Sequence, residues 1–390
     1  LDWFFLPIYP LLYRWPPGAV WALVGLATAL LALLPWLRRP RRAGQREFVV
    51  AMHPGAKQVV ARAGETLLEA GLRAGLALPY ECRNGGCGVC VCSVLNGRVD
   101  HGSFQPAVLT PSMREAGKAL MCCATPLGDV EIDVDVATLE PAGAVAIRAC
   151  EARVESMERL GATVMRLRLS LPDGARIAFA AGQYLNVLLA DGQRRAFSFA
   201  NAPHDNAMIE LHVRLIAGGR FTTHVFTRMQ VGDTLRVEAP LGRFTLHAGD
   251  RPILFVAGAT GFAPIKSIIE DAFHRGIARP MRLYWGVRDP DDLYMRELLE
   301  RWRREHPQFS YVTVLSEPAA APAWDGRTGL VHEAILEDYP DLHGHELYVC
   351  GSVQMVDAAV PAFIAQGLGA EACYTDAFVP AVPATDQAPT

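Results

Sequence analysis

The sequence has little charge and no excess of positive charge. Only 20% of its residues are charged, and 37 Lys and Arg residues face 41 Asp and Glu residues, for a net charge of −4. Without a basic field the chain cannot hold a polyanion by counterion release, so we expect no nucleic acid partner. Hydrophobic residues make up 51% of the chain, which excludes a disordered protein and indicates that part of it lies in lipid.

The sequence also lacks the even spread of cysteines that a disulfide scaffold needs. Nine cysteines are present, and six of them lie between Cys82 and Cys123. This clustering indicates a metal or cluster site in a reducing compartment. At 390 residues the chain is too long for one hydrophobic core, so two to four domains are expected.

One uncharged run near the N-terminus predicts a single transmembrane helix. It spans residues 19–37, and its 19 residues would cover roughly 28 Å as a helix, enough to cross a hydrocarbon core. A cluster of arginines follows and places the rest of the chain on the cytoplasmic side: Arg38, Arg39, Arg41 and Arg42. The aromatic residues before it are typical of the opposite membrane interface: Trp3, Phe4, Tyr9, Tyr13 and Trp15.

A cleaved signal peptide and a buried core helix are the alternatives for this run. A signal peptide carries its positive charge before the apolar stretch, whereas here the charge follows it, which favours an uncleaved anchor. The sequence begins at Leu1 rather than Met, as a fragment or a processed form would. Its first residues, Asp2 to Pro7, loosely resemble a motif near the quinol site of cytochrome b.

A glycine-rich cysteine loop lies in the next segment, residues 46–140, which reads as a small α+β unit. Cys82, Cys87 and Cys90 have the spacing C-x4-C-x2-C, and a further cysteine lies about thirty residues on. This is the plant-type pattern for a 2Fe-2S cluster, with glycines that let the backbone pass close to the sulfides. A structural zinc site would prefer two C-x2-C pairs, and only one is present.

The segment LMCCATPLGDVEI resembles the part of plant-type ferredoxins that supplies the fourth ligand in a C-x-A-x-P-x-x-D pattern. Alignment on Ala124, Pro126 and Asp129 makes Cys122 that ligand, and a slip of one residue would transfer the role to Cys123. Cys92 is then expected to be a buried thiol. The resemblance implies a β-grasp fold for this domain.

Strand-like segments separated by Gly-rich turns fill residues 145–248 and predict an antiparallel barrel. Three motifs in it resemble the FAD-binding barrel of the ferredoxin–NADP reductase family: Arg195, Phe197 and Ser198; His212, Val213 and Arg214; and Gly218, Gly219 and Thr222. Arg195 can pair with a phosphate, Phe197 can cover a ring face and Ser198 can donate toward flavin N5. The two glycines let backbone N–H groups approach the pyrophosphate at a helix start, where Thr222 adds a hydroxyl.

Strands and helices alternate from residue 249 to 382 and predict a parallel sheet covered on both faces. The first turn resembles the GGTGxxP turn of ferredoxin reductase-type NAD(P) domains, with Ala259 in place of the second glycine. The matching residues are Gly258, Thr260, Gly261 and Pro264.

The same family resemblance assigns roles to residues near the C-terminus. It places Cys350 and Gly351 beside the nicotinamide and makes Phe378 the aromatic residue that covers the flavin. Arg288 and Asp289 follow the second strand, where the adenosine ribose would lie. An acidic residue there favours the 2′-hydroxyl of NADH, and Arg288 could instead pair with the 2′-phosphate of NADPH.

Together these segments resemble iron–sulfur flavoprotein reductases, such as bacterial oxygenase reductases, over residues 46–382, with an anchor at 1–45 and a tail at 383–390. The resemblance implies electron flow from NAD(P)H through FAD and one 2Fe-2S cluster to a membrane-bound oxygenase, desaturase or cytochrome at the bacterial inner membrane. Ser198, Cys350 and Phe378 would serve the hydride step. The alternative is an NADH:quinone reductase resembling the anchored flavoprotein of the sodium-translocating complex, whose first two cluster ligands are spaced by five residues rather than four. A non-enzymatic assembly protein is disfavoured by three intact motif sets.

Overall fold

The structure is a computed structural model. It describes residues 47–134, 147–317, 324 and 326–378, apart from 56, 77, 81, 82, 84, 86, 87, 103, 105–107, 191 and 192, together with a few positions between 16 and 28. In this described part, no helix combines the length and apolar character that crossing a bilayer requires. Most of the predicted span at residues 19–37 lies outside the described residues.

The first domain is a five-stranded mixed sheet with a short helix packed on it. Its strands follow the order β2-β1-β7-β3-β5, with β1 and β7 parallel and the other pairs antiparallel. The helix α1 begins in a capping box, because the Thr66 hydroxyl accepts from Glu69 N and the Glu69 carboxylate accepts from Thr66 N. The elements are β1 (Phe48–His53), β2 (Lys57–Ala61), α1 (Leu67–Arg73), β3 (Val91–Asn96), β4 (Val99–Asp100), α2 (Pro111–Glu115), β5 (Lys118–Leu120), β6 (Thr125–Pro126) and β7 (Val130–Asp133).

The second domain is a six-stranded antiparallel barrel with one helix. Strand order is β11-β10-β13-β8-β9-β12, and a bridge between Phe199 and Leu211 joins the two outer strands. Leu167 and Leu169 of β9 are fully buried and alternate with charged residues, as the two faces of a strand require. The elements are β8 (Arg148–Arg159), β9 (Val164–Ser170), β10 (Tyr184–Leu188), β11 (Arg194–Ser198), β12 (Ile209–Arg214), α3 (Arg220–Thr227) and β13 (Thr234–Leu241).

The third domain is a six-stranded parallel sheet in the order β17-β16-β15-β14-β18-β19. Its central strand β14 is buried at five consecutive positions because helices cover both faces. The elements are β14 (Ile253–Gly258), α4 (Phe262–His274), β15 (Met281–Val287), α5 (Arg296–Glu305), β16 (Phe309–Leu315), β17 (Arg327–Thr328), α6 (Val331–Asp338), β18 (Glu346–Ser352), α7 (Val353–Ala365) and β19 (Cys373–Phe378).

Strand order reverses around β14, since the chain places β15 on one side of it and the later strand β18 on the other. In open α/β sheets, ligands bind outside the carboxyl ends of the strands at such a reversal. The predicted nicotinamide residues Gly258, Gly261 and Cys350 all lie at this point.

Candidate functional site

The turn after β14 is packed so closely on β18 that it tolerates no side chain at Gly261. A Cβ atom there would lie 2.1 Å from the Cys350 carbonyl oxygen and 3.0 Å from Gly351 N. Thr260 is nearly buried, and Pro264 is buried in the first turn of α4. Gly261 therefore holds the start of α4 directly against the end of β18.

Ala259, which stands where the family turn has glycine, has a left-handed backbone with φ +48°. A non-glycine residue is strained in that region because its Cβ approaches the following carbonyl oxygen. The indole Nε1 of Trp285 donates to Ala259 O at 2.9 Å and fixes the turn from the neighbouring strand.

Cys350 is fully buried near the end of β18. Strand β19 places Asp376 opposite Cys350 and Phe378 opposite Ser352. The Cys350 thiol donates toward the Asp376 carboxylate at 3.8 Å. Burial, together with that carboxylate, holds the pKa of Cys350 well above its usual range, so the sulfur remains a neutral thiol.

The predicted flavin residues of β11 are divided between the two faces of the sheet. Arg195 and Phe197 share one face, while Ser198 is on the other and is almost buried. The Arg195 guanidinium donates to Arg194 O at 2.9 Å and to Gln193 Oε1 at 2.6 Å. The ring centroid of Phe197 lies 5.3 Å from that of Phe221 in α3.

The loop before α3 leaves its backbone open to a ligand. Gly218 has φ +73°, and no atom lies within 4 Å of the Cβ position at this residue. A Cβ at Gly219 would lie 2.6 Å from Thr222 Oγ1. The Thr222 hydroxyl accepts from Ile216 N at 3.2 Å, so part of its hydrogen-bonding capacity fixes this loop.

His212, Val213 and Arg214 lie on β12 beside the third domain. The His212 side chain has no exposed surface, and its ring nitrogens lie 3.1 Å from the Tyr294 hydroxyl and 3.1 Å from Glu210 Oε1. Arg214 pairs with Asp292 at 3.6 Å, and Val213 is in the barrel core. In the described geometry His212 and Arg214 join the two domains, and direct cofactor contact by them stays a prediction.

Lys266, Glu210 and Glu270 form further charged contacts where these two domains meet. Lys266 of α4 lies 3.5 Å from Glu210 and 2.9 Å from Glu270, and it also donates to Ala200 O at 2.9 Å. Burial acts to raise the pKa of Glu210, but the His212 hydrogen bond and the Lys266 charge outweigh it and hold the pKa at about 2. Burial lowers the pKa of His212, which favours the neutral ring.

Cys90 and Cys122 lie at one end of the first domain's sheet, where β1, β5 and β7 end and β3 begins. Register places Val91 opposite Leu120, and Asp133 opposite both Ser93 and His53. We call this end of the sheet, formed by His53, Val91, Leu120 and Asp133, the cysteine edge. Cys90 immediately precedes Val91 and Cys122 follows Leu120 by two residues, so both emerge there.

Backbone hydrogen bonds bring the segments of these two cysteines together. Met121 N donates to Cys90 O at 2.9 Å, and Leu68 N of α1 donates to Met121 O at 3.0 Å. Cys90 is buried and Cys122 is half-buried, with its sulfur 3.5 Å from that of Cys123. Cys82 and Cys87 lie outside the described residues.

Three family models match consecutive parts of the chain. They are the 2Fe-2S iron-sulfur cluster binding domain at residues 52–127, the oxidoreductase FAD-binding domain at 151–246 and the oxidoreductase NAD-binding domain at 255–360. The chain is 38% identical to terephthalate 1,2-dioxygenase reductase component 1 of Comamonas over 81% of this chain and 92% of the relative. It belongs to the iron–sulfur flavoprotein reductases.

Other relatives of this reductase match nearly their whole length. CDP-6-deoxy-L-threo-D-glycero-4-hexulose-3-dehydrase reductase of Yersinia pestis is 36% identical over 85% of this chain and 98% of its own. The crystal structure of Amycolatopsis cytochrome P450 reductase GcoB superposes with TM-score 0.75 and 34% identity, covering 86% of this chain and 100% of that one. The predicted family and the three predicted cofactors, a 2Fe-2S cluster, FAD and NAD(P)H, are thereby confirmed.

The described residues of the reductase fit these groups. Gly85 and Gly88 of the cysteine loop have φ +76° and +79°, a backbone that glycine adopts without strain as the chain curves around a cluster. The open Cβ position at Gly218 leaves room for a phosphate beside the backbone. The carboxyl ends of β14 and β18, at the reversal of strand order, are where a dinucleotide binds in this sheet type.

The sequence did not reveal two residues at the carboxyl ends of the third domain's strands, Met355 and Glu317. The Met355 thioether, in the first turn of α7, packs between two glycines: a Cβ at Gly258 would lie 2.6 Å from its sulfur and one at Gly351 2.6 Å from its methyl carbon. Glu317, which follows β16, lies 3.7 Å from Arg288. Met355 follows Cys350 by five residues, and that short spacing was the only available clue to it.

Proposed function

We propose that this reductase takes electrons from NADH and delivers them singly to a membrane-bound oxygenase, desaturase or cytochrome. FAD accepts a two-electron hydride and a 2Fe-2S cluster carries one electron at a time, so the flavin stands between coenzyme and cluster. The observation that carries the proposal is the presence of all three domains, with their motif residues, in one chain. Ser198 and Cys350 would orient flavin and nicotinamide, and Phe378 would cover the flavin until nicotinamide binds.

Deletion of the residues before about Gly143 tests this order of carriers. The shortened chain should still pass electrons from NADH to ferricyanide, because the flavin and nicotinamide residues are downstream. It should fail with cytochrome c, which depends on the cluster. Loss of ferricyanide reduction by a variant that retains bound FAD would contradict the order.

The charge pair at the carboxyl ends of β15 and β16 supports NADH as the coenzyme. The Asp289 carboxylate already accepts a hydrogen bond from Asp291 N at 2.9 Å, within its own turn. Glu317 is the acid that faces Arg288, and it would repel a 2′-phosphate and compete for the guanidinium. We expect Glu317→Gln to raise kcat/KM for NADPH relative to NADH about fivefold to tenfold.

Arg288→Gln and the double variant provide the matched controls for that prediction. If Arg288 pairs with the phosphate once Glu317 is neutralised, the double variant should lose the gain. An unchanged NADPH to NADH ratio in Glu317→Gln would place the ribose elsewhere.

The relatives support an oxygenase as acceptor, since they include the reductase components of terephthalate 1,2-dioxygenase and phenol 2-monooxygenase. A screen of acceptors with the purified protein distinguishes this proposal from the quinone alternative. Reduction of a protein acceptor but not of ubiquinone would support the oxygenase class.

We also propose that residues 19–37 anchor the reductase in the bacterial inner membrane with its domains in the cytoplasm. Four arginines directly after this uncharged run oppose its translocation. The full chain should need detergent for extraction, and NADH oxidation should appear in inverted vesicles only. Deletion before about Gly44 should release a soluble, active enzyme. Activity confined to right-side-out vesicles would contradict the orientation.

A further inference from the structure

Four charged side chains alternate across the boundary between the ferredoxin domain and the flavin barrel. Arg83, from the cysteine loop, lies 3.2 Å from Glu238 of β13 and 3.8 Å from Glu69 of α1. Arg194 of β11 lies 2.9 Å from Glu69 and 3.4 Å from Glu238. Each carboxylate thus contacts an arginine from each domain. We call these four residues the interdomain charge square.

The ferredoxin side of the interdomain charge square is held in place by its own fold. Glu69 Oε2 accepts from Thr66 N at 3.2 Å in the capping box of α1, and its other oxygen is the one that faces Arg194. Arg83 has a left-handed backbone with φ +52°, and its guanidinium lies 6.0 Å from the Tyr80 ring centroid. The Arg83 side chain is only 6% exposed, so this charge is almost fully withdrawn from water.

On the barrel, the interdomain charge square lies near the strand that carries Ser198. Glu238 is directly opposite Asn186, and Asn186 is opposite Ala196, two residues before Ser198 on the same face. At the rise of a strand, two residues span about 7 Å. Arg83 therefore pairs, through Glu238 of β13, with the sheet face that carries Ser198, two strands away from β11.

This face of the barrel is polar and only partly buried, since Asn186 is buried whereas Ala196 is exposed. Asn186 is 1% exposed, and among the described residues its amide nitrogen and oxygen have no hydrogen-bond partner. Arg83 Nη1 likewise has an ion-pair contact but no hydrogen bond within the described residues. A buried arginine beside such a surface depends on the opposing carboxylate, because removing one partner of a buried pair leaves an uncompensated charge.

We infer that Arg83 is a positioning residue which, through Glu238, fixes the cysteine loop on the barrel and so sets the rate of electron passage between flavin and cluster. The inference rests on the proposed order of carriers. The charge pairs of the interdomain charge square position the loop, and they take no part in NADH binding or in flavin reduction.

The test compares Arg83→Gln, Glu238→Gln and their double variant in the full-length holoenzyme. After rapid mixing with NADH, bleaching of the cluster should be about tenfold slower in each single variant, and the double variant should be no slower than the slower single. NADH–ferricyanide turnover and cluster content by EPR should match the wild type. Hydrogen exchange should rise in peptides covering both the cysteine loop and β13.

Arg73→Gln is the matched control, since Arg73 pairs at 2.8 Å with Glu65 inside the ferredoxin domain. It should leave cluster bleaching and exchange in β13 unchanged. Arg83→Lys should recover part of the rate, because it restores the charge without the planar fork.

Wild-type bleaching and exchange in Glu238→Gln would overturn the inference, as would independent, multiplicative effects in the double variant. If the Arg83→Gln variant loses its cluster, the Glu238→Gln variant still tests the inference, because Glu238 lies on the barrel. If NADH does not reduce the cluster of the wild-type enzyme, that result contradicts the proposed function. Hydrogen exchange in β13 then tests the docking of the two domains alone.

Discussion

Replacing Cys90 with serine is expected to abolish the EPR signal of the reduced cluster and to lower cytochrome c reduction about a thousandfold or more. Cys90 is 2% exposed and directly precedes β3, where Met121 N holds its carbonyl. A cluster needs four thiolates, so loss of one should remove the centre while flavin reduction continues. EPR and parallel assays with ferricyanide and cytochrome c measure the two effects. Cys82→Ser, Cys87→Ser and Cys122→Ser should behave alike.

Cys92→Ala is the control for this series. Cys92 is equally buried, but it lies within β3 opposite Ala119 and outside the C-x4-C-x2-C pattern, so we expect a packed thiol rather than a ligand. Its variant should retain the EPR signal. Cys123→Ser should retain the signal as well. Loss in Cys123→Ser with retention in Cys122→Ser would show that the fourth ligand is Cys123.

Replacing Gly261 with alanine is expected to lower NADH–ferricyanide turnover at least about a hundredfold and to destabilise the third domain by about 3 kcal/mol. The added methyl group would meet the backbone of β18 at Cys350, 2.1 Å away, and backbone there cannot rotate aside as a side chain would. The start of α4 must then move away from the nicotinamide end of the sheet. Steady-state kinetics with NADH and thermal unfolding measure the two effects.

Ala259→Gly, two residues earlier in the same turn, should have the opposite effect on stability. Its backbone already has φ +48°, so glycine relieves a strain of about 1 kcal/mol. Bound FAD should be unchanged in both variants, because neither residue belongs to the barrel. A Gly261→Ala enzyme with wild-type turnover would mean that the turn is looser than its contacts indicate.

Short-range patterns predicted much of this molecule. Cysteine spacing, the strand–helix alternation and the glycine turn each depend on local chemistry, and the comparisons confirm the three cofactors. The strand β8 is hard to recognise from its own sequence, RACEARVESMER, which has six charged residues and no clear alternation. Its backbone pairs with both β9 and β13, and this pairing makes it a strand although its own side chains do not indicate one. Similarly, β19 is a strand because β18 offers it a parallel edge.

Contacts between domains could not be predicted, because they join residues far apart in the chain. Glu238 and Arg83 have no sequence pattern that relates them, and the same is true of Glu317 and Arg288. His212 was assigned from family resemblance alone, and its burial against Tyr294 of the next domain depends on how the barrel meets the segment before α5. Sequence resemblance locates such residues but does not reveal which surfaces they face.

The parallel pairing of β1 with β7 determines where the ferredoxin domain is attached. The chain enters β1 at Phe48 and leaves β7 after Asp133. Because these strands are parallel, the two points lie at opposite ends of the strands. A six-residue strand separates them by roughly 20 Å. The exit lies at the cysteine edge and leads to the barrel, whereas the entry lies at the far end. In the proposed anchored enzyme the domain would act as a spacer: a tether joined at Phe48 would leave the cysteine edge one strand length away, and an approaching acceptor would not have to displace the tether.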